Sequence, residues 1–169
     1  MTSETTQQSP MTAEPQKEHQ WLQKLVGEWT YESEIIMGPD QPPQKGTGSE
    51  SVRAFGGLWV LMEGRGDLSG GDASIITLGY DPEKKRFVGT FIGSTMTYLW
   101  HYDGELDAAG KVLTLDAEGP SMLGDGTTAK YQDVIEVVGD DHRRFRSRVL
   151  TDAGWNEFMT ADYRRKRVR

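Results

Sequence analysis

The sequence predicts an all-β protein, a closed antiparallel up-and-down β-barrel of about ten strands entered through a short N-terminal helix. Two observations carry this expectation. Runs rich in β-branched and aromatic residues recur at a spacing of about 8–12 residues, each bounded by Gly, Pro or Asp, which is the cadence of a barrel or sandwich. Only one segment has helical periodicity, so nothing supplies the crossover helices that parallel strands require. Closure also removes the edges that so many strands would otherwise leave exposed.

Taken in order, residues 1–16 are Thr, Ser, Gln, Glu and Pro with little to bury, and they read as a disordered N-terminal tail. The barrel domain is expected over residues 17–166, with 167–169 as a basic C-terminal tail. Trp21, Leu22, Leu25 and Val26 share one helical face, and Gly27 stands where a C-terminal cap would fall. So short a helix needs a larger body to rest on.

Period-two alternation begins next. Trp29, Tyr31, Ser33, Ile35 and Met37 lie on one face of a first strand, with Thr30, Glu32 and Glu34 on the other. The loop Gly38-Pro39-Asp40-Gln41-Pro42-Pro43 ends it. Gly46–Phe55 reads as a polar second strand, and Gly56-Gly57 turns the chain into Leu58–Glu63. A turn over Asp67–Asp72 leads to Ser74–Tyr80, and Asp81–Lys85 makes the hairpin to Arg86–Ile92. Thr95–Tyr102, Val112–Glu118, Thr127–Val138, Arg143–Thr151 and Trp155–Tyr163 complete the set. A barrel of this strand number is wider than its own side chains fill, so it has room for a cavity.

Composition excludes several functions. There is no cysteine, hence no disulfide, thiolate metal site or Cys nucleophile. A net charge of −7 opposes phosphate neutralisation and argues against nucleic-acid binding. No apolar run approaches the roughly 20 residues that span a bilayer, and the N-terminus has no signal-peptide pattern. The expectation is a cytoplasmic protein with no membrane or nucleic-acid partner, able to form a homodimer through an apolar barrel flank.

Candidate chemistry is sparse. His19 and His142 read as solvated, and two histidines at metal spacing are absent, so no metal site is expected. Gly119-Pro120-Ser121-Met122-Leu123 misses the nucleophile elbow at its last position, and Gly64-Arg65-Gly66-Asp67 is no phosphate loop. Glu63, Asp116 and Glu157 fall on strands as carboxylates available for acid–base work, or simply on the solvent face. The better inventory is aromatic and thioether: Trp59, Met62, Met96, Tyr98, Trp100 and Tyr102, with Met122, as candidates to line an apolar pocket. Alternation puts Met96, Tyr98, Trp100 and Tyr102 on one face and Thr97, Leu99 and His101 on the other, so Trp100 and His101 cannot both face inward without a bulge. In the run from His142 to Arg148, Arg144, Arg146 and Arg148 share a solvated face opposite Phe145 and Val149.

Four stretches resemble the DUF1579 family of unknown function: Leu25-Val26-Gly27-Glu28-Trp29, Leu78-Gly79-Tyr80-Asp81-Pro82, Phe87-Val88-Gly89-Thr90-Phe91 and Tyr163-Arg164-Arg165-Lys166. The resemblance runs from about His19 to Lys166. Its Gly-x-Trp opening is also similar to the calycin group (lipocalins, fatty-acid-binding proteins, nitrobindins), in which that tryptophan plugs one end of the barrel. Where members usually carry Trp-x-Asp, this chain has Phe91-Ile92-Gly93, so a role resting on that acidic position is missing here. The resemblance implies a calycin-like barrel and no established activity. His101, on the face of Thr97 and Leu99, could ligate a haem iron as a lone ligand if that face points inward. Nitrobindin-like barrels bind haem through a lone histidine near the C-terminal end, and the C-terminal strands here are expected to hold none, which weighs against haem. The expectation is therefore a barrel that binds a small apolar or amphipathic ligand in its cavity without catalysis and without a cofactor. The alternatives are acid–base catalysis on a small hydrophobic substrate, and haem binding through His101.

Overall fold

The computed structural model describes residues 12–67 and 71–167. Helix α1 (Lys17–Gln23) precedes ten strands: β1 (Gly27–Ile35), β2 (Gln44–Phe55), β3 (Trp59–Gly66), β4 (Ala73–Asp81), β5 (Arg86–Gly93), β6 (Trp100–Leu106), β7 (Val112–Pro120), β8 (Thr128–Gly139), β9 (His142–Thr151) and β10 (Gly154–Arg165). Every strand pairs antiparallel with its sequence neighbours, and β1 pairs with β10 to close the cylinder. The closing ladder runs from Trp29 opposite Arg165 to Ile35 opposite Met159. Among the described residues, no helix is long and apolar enough to cross a membrane.

Because strands alternate in direction, the turns fall into two sets. Those at 56–58, 82–85, 107–111 and 140–141 surround the end where β1 begins, and α1 lies there. Trp21, Leu22 and Leu25 are buried against Trp29, Val60, Leu78, Phe87, Leu113, Leu115 and Ile135. Each such side chain contributes about 1.5–3 kcal/mol by burial, which a seven-residue helix could not recover from its own hydrogen bonds. Hydrogen bonds from three side chains fix the plug. The Trp21 indole N–H donates to the Gly110 carbonyl at 2.7 Å, Trp29 donates to Leu25 at 2.9 Å, and the Arg165 guanidinium donates to Val26 at 2.5 Å and Lys24 at 3.0 Å.

The helix stops earlier than expected. Its cap is Lys24, and residues 24–26 unwind through i→i+3 bonds. Gly27 is already the first residue of β1, with φ +143°, and a Cβ there would collide with the Arg165 guanidinium. The glycine serves the helix-to-strand corner, not the helix terminus.

His19 departs from the solvated reading. It is buried, its Nδ1 accepts the Gln16 backbone N–H at 2.9 Å, and its Nε2 therefore carries the proton donated to the Tyr80 carbonyl at 3.0 Å. His142, expected in a turn, is the first residue of β9, so a C-terminal strand does hold a histidine, but it is half-buried on the outer face and bonded to Asp162 at 2.6 Å. Strand β6 begins at Trp100, not Thr95, and continues through Asp103-Gly104-Glu105. The polar Asp103 and Glu105 hide its later half in sequence. Both face outward, where each accepts from Arg86 at 2.5 Å. The tail expected over residues 1–16 is described only from residue 12, where the chain is exposed up to the helix. Part of the turn expected over 67–72, namely 68–70, and part of the basic tail, 168–169, lie outside the described residues.

Candidate functional site

The second set of turns surrounds the opposite end, which stays open. From this mouth a cavity of about 1030 Å³ runs down the barrel axis to the layer above the helical plug. Alternation decides what it meets: Ile76 from β4, Phe91 from β5, Trp100 from β6, Phe145 from β9 and Met159 from β10 all face inward. The walls are therefore mainly apolar. Two polar groups of side chains interrupt them.

The first follows from register. Arg143 lies opposite Tyr163 across β9 and β10, Tyr163 lies opposite Tyr31 across β10 and β1, and Glu50 lies opposite Trp29 across β1 and β2. These side chains meet at one depth. Arg143, 1% exposed, is ion-paired to Glu50, 5% exposed. Its guanidinium also sits 4.0 Å from the Tyr163 ring centre and 4.7 Å from that of Trp29. The Tyr31 and Tyr163 rings are 5.1 Å apart. Burial raises the Glu50 carboxyl above its ordinary range, and the charge and hydrogen bond of Arg143 oppose the rise. Burial, then the Glu50 charge, pushes the Tyr163 hydroxyl far up, so it stays protonated.

The second group lies across β6, β8 and β9. Asp133 is opposite Ser147 in the β8–β9 ladder and accepts its hydroxyl at 2.6 Å, and it also accepts the hydroxyl of Tyr102. Burial raises the Asp133 carboxyl, opposed by the hydrogen bonds from Ser147 and Tyr102. Burial and then the Asp133 charge hold the Tyr102 hydroxyl well above its ordinary value, which keeps it a donor. Chemically, this is a carboxyl in a low-dielectric wall, held by two neutral donors and, among the described residues, ion-paired to no cation.

Of the residues singled out in sequence, Met62, Met96, Tyr98, Trp100 and Tyr102 line the cavity. Met62 and Tyr102 are buried, and Met96 and Tyr98 are half-exposed. Met122 also lines it, from an exposed loop. The segment 95–99, read as strand, instead crosses the rim, anchored by the Tyr98 hydroxyl donating to the Glu118 carbonyl at 3.1 Å and by an edge contact with Trp100. Trp59 and His101 do not line the cavity. Trp59 is outside, with its ring over Gly79. His101 is exposed on the outer face between inward Trp100 and Tyr102, so a haem iron inside the barrel would not meet it. Glu63, Asp116 and Glu157 are likewise outside, each within 3.7 Å of an arginine (Arg53, Arg86 and Arg146). Among the described residues, no three His, Asp or Glu side chains converge as metal ligands.

The residues that give the interior its polarity, Glu50, Asp133, Arg143, Ser147 and Tyr163, are absent from the sequence-based candidates. One of them had a legible signal. Arg143 shares the period-two face of Phe145, opposite the solvated arginines, which already placed it inside.

Comparison with known proteins supports the architecture. No curated protein sequence matches the chain. The crystal structure of Rv2717c from M. tuberculosis superposes with a TM-score of 0.62 at 12% identity, covering 91% of this chain and 100% of that one. The S-type phycobiliprotein lyase CPES from Guillardia theta gives a TM-score of 0.58 at 14% identity, covering 92% and 100%. Likeness at these identities concerns the fold. In sequence, residues 14–165 match a family described as a protein of unknown function, and the chain therefore belongs to the DUF1579 family.

Proposed function

We propose that this protein binds one small amphipathic molecule inside the barrel, apolar frame against the walls and polar end toward the buried layer. One observation carries the reading: a cavity of about 1030 Å³, closed by the helical plug at one end and open at the other, with apolar walls and hydrogen-bonding groups at depth. Such a space is at the upper limit of the size of small-molecule sites and has their polarity. The test uses Nile red, a neutral apolar dye. It should bind at one site per chain with a blue-shifted emission, and Ala117→Trp, which fills the cavity from the wall of β7, should weaken binding at least about tenfold by displacing it. Equal binding by both proteins would place the dye on the surface and overturn the reading.

A second reading, acid–base catalysis on a small hydrophobic substrate, is favoured by Asp133. A desolvated carboxyl held by Tyr102 and Ser147 has the environment of a tuned general acid or base. It would require turnover of such a substrate that disappears in Asp133→Asn while binding persists.

A further inference from the structure

Resting on the cavity-binding reading, the charge inventory of the interior specifies the ligand further. Among the described residues, five charged ones line the cavity: Lys45, Glu50, Asp72, Asp133 and Arg143. Lys45 and Asp72 are exposed at the mouth. Glu50 and Arg143 neutralise one another, and Arg143 is further enclosed by the Tyr163 and Trp29 rings. A carboxylate ligand reaching this depth therefore meets no free cation. It meets Asp133, whose two hydrogen-bond partners, Tyr102 and Ser147, are both neutral.

An ionised carboxylate has about four lone-pair sites, so two bonds leave acceptor capacity unused. A negative charge in an apolar wall is costly without a counter-charge, and burial raises the Asp133 carboxyl for that reason. The surrounding rings, among them Phe91, Trp100, Tyr131 and Phe158, offer faces that attract cations. Among the described residues that line the cavity, two buried donors lack partners, Arg143 Nε and Trp100 Nε1, but neither has surface open to it, so they do not call for an acceptor on the ligand. The net charge of −7 also draws cations toward the protein at long range.

We infer that the ligand is an organic cation, a protonated amine or similar N–H donor on an aromatic or otherwise apolar frame, received by Asp133. The amine donates to the lone pairs left on Asp133 Oδ1 and Oδ2, each of which already accepts one bond, from Ser147 and Tyr102 respectively, and the frame occupies the aromatic upper cavity.

Calorimetric titration with three probes of matched frame tests this: naphthylethylamine, naphthylethanol and naphthylacetate. The amine should bind at least about tenfold more tightly than the alcohol, as expected of a charge-assisted hydrogen bond, and the acetate most weakly. Asp133→Asn should bring the amine down to the level of the alcohol bound by the same variant, because the charge is lost while the size of the side chain is kept. Asp133→Ser makes the same test with a smaller side chain, and Ser147→Ala, which keeps the carboxylate, should retain the preference. An amine bound no better than the alcohol in the wild-type protein overturns the inference, as does a preference that survives loss of Asp133. In both cases the bound alcohol leaves the cavity reading standing. Failure of all three probes to bind overturns both.

Discussion

Arg143 is a guanidinium with almost no access to solvent, and it is tolerated because its charge is distributed over Glu50 and two aromatic faces. Such a pair does little for net stability, since desolvating both ions offsets their attraction, but removing one partner strands the other. Glu50→Gln should therefore destabilise the protein by about 3–5 kcal/mol in urea denaturation, whereas Glu50→Gln combined with Arg143→Met should return to within about 2 kcal/mol of wild type. Asp133 poses the opposite case, a lone carboxyl with no cation. Its folded pKa lies above the ordinary Asp value of 3.8, so between those two pH values the native state holds a proton that the unfolded chain has lost. Stability from this group thus falls as pH rises through the window. Asp133→Asn removes the penalty: relative to wild type it should gain stability as pH rises toward neutrality, and the difference should vanish near the ordinary Asp range. Unfolding free energies of the two proteins measured from the ordinary Asp value up toward neutrality would show this, and a flat difference would refute it.

Among the strands, close approach of backbones sets the limits. Gly89 faces the interior of β5 opposite Tyr102, and a Cβ there would overlap the Thr77 carbonyl oxygen of β4. Backbone cannot swing aside as a side chain can, so Gly89→Ala should cost about 1–3 kcal/mol by overpacking the β4–β5 pair. Gly139, with nothing within 4 Å of a built Cβ, should accept alanine with little change. Thermal unfolding of the two variants makes the comparison. Elements of this kind differ in how far sequence discloses them. Strand β9 was legible because Arg144, Arg146 and Arg148 alternate with Phe145, Ser147 and Val149. Strand β2 was legible as a strand but not as a site, because Gly46-Thr47-Gly48-Ser49-Glu50-Ser51 is small or polar on both faces and gives no sign that Glu50 points inward. In β8, Gln132 and Asp133 sit side by side between Tyr131 and Val134, so neither polar residue declares its side. The cavity carboxyls were hidden by local ambiguity, and the register of neighbouring strands resolves it.

For the whole molecule, closure is the property on which the cavity depends. β1 and β10, at opposite ends of the barrel's sequence, share seven register pairs, and the ladder is prolonged beyond β10 by the Lys166 N–H donating to the Glu28 carbonyl at 2.7 Å. Through the same ladder Tyr163 and Arg165 reach Tyr31 and Trp29, so closing the sheet also completes the buried polar layer and locks the plug. A chain ending at Ala153 lacks β10. It would expose the edges of β1 and β9 together, leave Arg143 without Tyr163, and lose the Arg165 bonds to the helix-to-strand corner. Such a chain should show no cooperative thermal transition and should bind hydrophobic dye nonspecifically, the behaviour of a collapsed sheet without fixed packing. Adding a peptide of residues 154–167 should restore a transition only if closure by β10 is the missing element. A truncated chain that unfolds cooperatively and still binds one dye per molecule would mean that the other nine strands hold the cavity without it.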